Sequence, residues 1–139
     1  MKSTHRFVHE TVCTLTFIQA GIPFVEPEST EVFTIHDLNL HELNAISFNK
    51  GCYTGQEIVA RMHYKAKLKH HLYLIKFNDA LSNNQIFIDS NKNEVGRVIN
   101  GIKNENDYYA LVWLRDAMLD APYLETPEQQ QVPFTIIKQ

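Results

Sequence analysis

From His71 onward apolar side chains recur at every second position, and this period of two constrains the fold more than any other feature of the chain. The runs His71-Leu72-Tyr73-Leu74-Ile75-Lys76-Phe77, Gln85-Ile86-Phe87-Ile88, Val95-Gly96-Arg97-Val98-Ile99, Tyr108-Tyr109-Ala110-Leu111-Val112-Trp113-Leu114 and Phe134-Thr135-Ile136-Ile137 read as five strands. Polar turn residues separate them at 82–84, 89–93 and 103–107, and Arg115 to Leu119 reads as one helical turn before Pro122. Several short antiparallel strands in so little chain imply a small barrel or sandwich. Residues 70–139 are therefore expected to form an antiparallel β-barrel domain. Tyr108, Tyr109 and Trp113 fall on that strand period, which favours packing over base stacking.

The preceding residues, 1–69, follow a helical rather than a strand period, so the fold class expected is α+β. A helix is predicted from about Thr4 to Ala20, capped by Ser3 or Thr4, with Val8, Val12, Leu15 and Ile18 on one face. Gly21 and Pro23 stop it, and Cys13 reads as core filler. Ile22 to Phe33 reads as an extended loop. Asn39 and Glu42 have the spacing of a capping box, with Leu38 and Leu43 as a hydrophobic staple, so a short helix is predicted from Leu40 to Ala45. Thr54 and Glu57 repeat the box, with Tyr53 and Ile58 as the staple, for a helix from Gly55 to about Tyr64. In it Ile58, Val59 and Met62 share a face, and Glu57 and Arg61 are an i,i+4 pair.

Capping accounts for only half of Lys50-Gly51-Cys52-Tyr53-Thr54-Gly55-Gln56-Glu57. A thiol just before a helix start, with the Lys50 ammonium two residues away, is placed where both neighbours favour a thiolate. Two readings of Cys52 stand at this point, a reactive thiol and a small buried hydrophobe. Gly51 and Gly55 permit a tight turn or the close approach of a ligand. Gln56 reads as an exposed helix former. No catalytic partner for the thiol is fixed by spacing, although His41 and His63 are within reach of a folded chain. His70 and His71 read as a surface pair, and no metal site is expected.

The net charge of −3 hides an asymmetry. Lys50 to Lys76 carries +5, from Lys50, Arg61, Lys65, Lys67, Lys69 and Lys76 against Glu57, and the remainder carries −8. Such a segment suits an anionic ligand or an RNA backbone, or is a solvated lysine-rich connector. No apolar run has the length of a membrane span and the first residues lead into no signal core, so a cytoplasmic protein without membrane contact is expected. Two cysteines in dissimilar contexts suggest neither a disulfide framework nor zinc, and fit a reducing compartment.

The motif followed by Ile58-Val59-Ala60-Arg61, with Ala20-Gly21-Ile22-Pro23 upstream and Asn39-Leu40 and Ile46-Ser47-Phe48 leading into it, resembles the signature of the YgfZ family. These are folate-binding proteins related in structure to the aminomethyltransferase, or T-protein, of the glycine cleavage system, and the resemblance covers roughly Phe17 to Gln139. It implies a C-terminal barrel of the aminomethyltransferase-like fold, with tetrahydrofolate as cofactor. It also implies a role in iron–sulfur cluster assembly or repair and, through it, in tRNA modification such as thiolation. Cys52 is the functional thiol by that resemblance, with Lys50 beside it, and Gly51, Tyr53, Gly55, Gln56, Glu57 and Arg61 stand where cofactor-binding residues are expected. Relatives have a longer N-terminal region that builds most of the folate pocket. The chain is thus expected to be a C-terminal portion, with 1–69 a remnant of the folate-binding region and folate binding dependent on more than this chain. Phe17-Ile18-Gln19 departs from the Arg and Glu often found before the Ala-Gly-Ile-Pro element, which removes a possible pterin acceptor.

The leading expectation is an accessory factor whose partners are iron–sulfur enzymes such as tRNA-thiolating enzymes, with direct tRNA contact possible. The alternatives are a folate-dependent aminomethyltransferase, and a noncatalytic RNA- or protein-binding barrel using Lys65 to Lys76.

Overall fold

The computed structural model describes residues 10–65 and 67–138. Two helices, α1 (Glu10–Gln19) and α2 (Gln56–Lys65), precede seven strands: β1 (His70–Phe77), β2 (Ile86–Ile88), β3 (Glu94–Asn104), β4 (Asp107–Arg115), β5 (Leu124–Glu125), β6 (Gln131–Val132) and β7 (Phe134–Lys138). All five expected strands form. The pairs β5 and β6 are too short to show a period in sequence. The helical turn after β4 forms as a 3-10 turn at Asp116–Met118. β3 runs through to Asn104, shortening the expected 103–107 turn to Glu105 and Asn106, with Glu105 at φ 55°.

Every strand pairing is antiparallel, in the order β6-β5-β2-β3-β4-β1-β7. The first and last strands of that order are separated in sequence by Pro133 alone. Consecutive Cα atoms lie about 3.8 Å apart, so a seven-stranded sheet can satisfy that link only by curling until its two ends meet. Three bulges help it curl: Val95 is the extra residue where β3 passes β2, Ile99 is extra where β3 passes β4, and Ile137 is extra where β7 passes β1. The expected barrel-like architecture is therefore present as a rolled sheet.

Alternation along β1 and β4 sorts their side chains between two cores. Tyr73, Ile75, Phe77, Tyr108, Ala110, Val112 and Leu114 point inward and close on Phe87, Val95, Val98, Leu124 and Val132. Leu72, Leu74 and Leu111 point outward, where Ile18 of α1 and Leu38 cover them together with Ile99. Tyr109 and Trp113, half-buried, pack against this outer cluster while Tyr108 is buried within. Full burial of a side chain such as Ile18 is worth roughly 1.5–3 kcal/mol, enough for one residue to anchor a short helix.

Helix α1 ends as its sequence predicts. Gly21 takes φ 75°, and Ile22 and Gly21 donate to the carbonyls of Phe17 and Ile18 in a Schellman arrangement. Its expected start at Ser3 or Thr4, and Val8, lie outside the described residues. The predicted apolar face is only partly used: Ile18 is buried and Leu15 half-buried, but Val12 is 51% exposed. Cys13 is exposed rather than core filler, because its position on the helix faces away from the sheet.

The helix predicted from Leu40 to Ala45 is absent; residues 34–44 form a succession of turns. Asn39 adopts φ 53°, whereas a helix N-cap requires extended backbone, and Asn44 leaves the helical region again at φ 55°. The Asn39 side chain turns away to donate from Nδ2 to the Leu72 carbonyl at 3.2 Å. Leu38 is buried but Leu43 is exposed, so the staple does not close. Asp37 gives these turns a second tie to the sheet: Oδ2 accepts from Thr34 N–H and hydroxyl, while Oδ1 accepts from Trp113 Nε1 at 3.0 Å.

Candidate functional site

The motif occupies the irregular segment between these turns and α2. Lys50 and Cys52 are both exposed, and Cys52 is a free thiol. The Lys50 ammonium sits 5.2 Å from the centre of the Tyr53 ring, a cation–π placement that ties it to the following turn. Tyr53 N–H donates to Gln56 Oε1 at 3.1 Å, so Gln56 closes the turn instead of facing solvent as a simple helix former. Gly55, at φ 87°, turns the chain into the helix, and its carbonyl accepts from Ile58 and Val59.

The helix consequently begins one residue later than the expected capping box required. Thr54 is not the cap of α2, and the reciprocal bonding predicted for Thr54 and Glu57 is replaced by the Tyr53 to Gln56 bond. Ile58 is 66% exposed, which rules out the staple with Tyr53. Val59 and Met62 are half-buried. Glu57 and Arg61 are exposed and form no ion pair, so neither of these expected cofactor-binding residues is organised by the other.

Tyr53 and Gln56 line a cleft of about 110 Å³ with Ser47, Phe48 and Ala60. These are the two candidate cofactor-binding residues that the fold brings to one cavity. A Cβ added at Gly51 or Gly55 would meet nothing within 4 Å, so neither glycine forms a tight cradle. Larger cavities lie elsewhere: about 200 Å³ between the end of α1, Asn39 and the outer face of β1, and about 500 Å³ beside β2 and β5 with Asp89, Glu94 and Glu125 on its walls. Sites for cofactors of drug size are usually about 300–1,000 Å³. The two cavities near the motif half fall below that range, and the large one, which also has Lys92 on its wall, is lined by no motif residue. Of these cavities, the smallest is the one that includes expected cofactor-binding residues, Tyr53 and Gln56.

Sequence reasoning missed one cluster. His36, His41 and His63 converge with ring centres 4.8, 6.2 and 6.5 Å apart, and Phe48 stacks on His63 at 3.9 Å. His36 is buried, and burial, followed by its neighbours His41 and His63, holds its pKa below the ordinary histidine value. The signal available in sequence was an excess of histidine on both sides of the motif, without the turns needed to bring them together. His70 instead stacks on Trp113 at 4.1 Å, and His71 Nδ1 lies 2.7 Å from Asp116 Oδ1, so the expected surface pair is two half-buried residues with separate partners. Asp116 also accepts from the Tyr73 hydroxyl at 3.0 Å; burial, with that bond second, pushes Tyr73 up to about 12.

Within the basic segment Lys67 and Lys69 are exposed, whereas Lys76 is drawn 3.4 Å from Asp107. Among the described residues no group of three or more histidine, cysteine or acidic side chains is arranged to hold a metal ion, and no helix is long and apolar enough to cross a membrane.

Comparison with known proteins shows a sequence relationship to YgfZ proteins. Over 58 residues the chain is 45% identical to the tRNA-modifying protein YgfZ of Buchnera aphidicola subsp. Schizaphis graminum, a segment that is 42% of this chain and 18% of that protein. Over 56 residues it is 48% identical to YgfZ of Yersinia enterocolitica, covering 40% and 17%. Over 61 residues it is 44% identical to YgfZ of Yersinia pestis (strain Pestoides F), covering 44% and 18%. The matched part of the chain spans less than a fifth of each of these relatives. No family model matches. Among solved structures, an aminomethyltransferase T of the glycine cleavage system from Bartonella henselae superposes with a TM-score of 0.44 at 12% identity, over 61% of this chain and 25% of that one; so low a likeness supports no assignment.

Proposed function

We propose that this YgfZ-related chain serves tRNA modification as an accessory factor, with Cys52 as its working thiol. The observation that carries the reading is the free, exposed thiol on a loop tied at Tyr53 and turned by Gly55, in a chain similar over two fifths of its length to proteins named tRNA-modifying. A thiol there is accessible to a macromolecular client, and its reactive form is the thiolate. The start of α2 follows the thiol by four residues and the exposed Lys50 precedes it by two, and both carry positive potential.

Iron–sulfur enzymes that thiolate tRNA are the proposed clients, since the thiolate is both a soft metal ligand and a sulfur nucleophile. The exposed Lys67 and Lys69 offer phosphate contacts if the RNA itself approaches. Two free thiols suit a reducing compartment such as the cytoplasm. Tetrahydrofolate, the cofactor that the resemblance to YgfZ proteins implies, belongs to this reading with Tyr53 and Gln56 as candidate contacts, and no step is routed through it.

The test is Cys52→Ser in the protein as the cell makes it, read by the content of thiolated nucleosides in bulk tRNA. Loss approaching that of a deletion is expected. Unchanged thiolation would refute the role of the thiol.

A further inference from the structure

The histidine cluster joins parts of the chain that lie on opposite sides of the motif. His36 and His41 belong to the turns before it, and His63 belongs to α2 after it. Phe48, on the approach to the motif, stacks on His63 and lies 6.4 Å from His36 between ring centres. The loop bearing Lys50 and Cys52 is thus bracketed at both ends by one set of rings. Other support for α2 is slight: Ile58 is exposed, and among the described residues the helix has no extended packing on a strand or on α1.

Burial and closeness oppose added charge at the centre of this cluster. His36 is 2% exposed, and its Nε2 has no hydrogen-bond partner; His41 Nδ1 is buried and equally unsatisfied. Asp37 is the acid that opposes this, since its charge favours protonated His36, but it ranks below burial and the two neighbouring histidines. Both oxygens of Asp37 already accept hydrogen bonds from Thr34 and Trp113, and Glu42 approaches the other nitrogen of His41 only to 4.0 Å, from an exposed position.

We propose that His36, His41 and His63 form a proton-operated catch that seats α2 and the motif loop near neutral pH and releases them on acidification. Protons entering the cluster would place like charges on rings 4.8–6.5 Å apart, with His36 buried and His41 half-buried, where salt screens less than it does at the exposed His63. The direction follows from linkage. His36 is held below the ordinary value of about 6.5 that it regains when unfolded, so the seated state is fully favoured above that value and loses ground as pH falls from there through the lowered one. The outcome is a thiol loop whose order depends on pH, whatever chemistry Cys52 performs.

Amide hydrogen exchange on the full chain, corrected for the intrinsic pH dependence of exchange, tests this at about pH 7.5 and about pH 5.5. Residues 57–65 are expected to lose about tenfold or more of their protection at the lower pH while β1 and β4 keep theirs. His41→Gln, which removes one competing charge from a half-exposed turn and leaves the burial of His36 in place, should reduce that loss measurably. Equal protection of α2 at the two pH values would overturn the proposal, as would an undiminished loss in the variant or a joint loss with β1 and β4. A histidine titration by NMR on the unaltered chain gives an independent reading: His36 should titrate below the free value and respond to its neighbours, and an isolated transition at about 6.5 would also overturn it. None of these readouts depends on the role of Cys52, so the catch and the thiol hypothesis fail separately.

Discussion

Gly51 and Gly55 stand either side of Tyr53 and Cys52, yet the backbone asks different things of them. Gly55 sits at φ 87°, a conformation that costs an L-residue roughly 1–2 kcal/mol, whereas Gly51 has an ordinary φ and open space where a side chain would go. Gly55→Ala is therefore expected to lower stability or α2 protection by about that amount, and Gly51→Ala to change a urea midpoint by less than about 0.5 kcal/mol equivalent. Parallel denaturation curves check both. Gly51→Ala also separates the two readings of the motif: if it melts normally but no longer supports tRNA modification, a ligand or client approaches the backbone there. Sequence could nominate both glycines but could not rank them, because φ is set by which residue starts the helix. That residue is Gln56 and not Gly55, because Gly55 takes a left-handed φ and Gln56 bonds back to Tyr53.

Among the elements, the turns at 34–44 show how a correct local pattern can be overruled. Asn39 and Glu42 have the spacing of a capping box, but the Asn39 amide finds the Leu72 carbonyl of β1, thirty-three positions away, and the left-handed backbone that reaches it is open to Asn at little cost. No window of sequence contains that partner. Asn39→Ala removes the bond and the residue type suited to the conformation, and is expected to cost about 1–3 kcal/mol. Since Asp37 in the same turns accepts from the indole of Trp113, the chain's one tryptophan, undocking should appear as a red shift of its fluorescence at lower denaturant than the loss of sheet circular dichroism. Coincident transitions at the parent's midpoint would show that Asn39 contributes nothing measurable. By contrast α1 ends and the five long strands run almost where the pattern put them, because Gly21 and the period of two act locally.

At the scale of the molecule, the rolled sheet was legible as a class and not as a closure. Nothing in the residues 120–133 announces that β5 and β6 pair, or that Pro133 carries the chain from one end of the sheet to the other. Nor was it evident that the helical half would cover the outside of β1 and β4 and share Leu72, Leu74 and Leu111 with them. The interior makes one prediction of its own. Tyr108, by burial and then the charge of Glu26, and Tyr73, by burial and its bond to Asp116, are both pushed up to about 12. Unfolded tyrosine ionises near 10, so the folded state binds more protons between those values and stability is intact below about pH 10 and falls as pH rises toward 12. A spectrophotometric titration at alkaline pH should show two of the six tyrosines ionising late, together with loss of sheet signal. Early ionisation of all six would contradict their burial.

The strand order also sets a timetable for synthesis. β1 lies between β4 and β7, so its two neighbours are made about thirty and sixty residues after it. Until then β1 presents an open edge, and the outward leucines that α1 and the 34–44 turns cover have no finished surface beneath them. Ile18 and Leu38 dock on leucines of both β1 and β4, so the nascent motif half waits for β4, and a change in that strand is felt as far back in the sequence as α1.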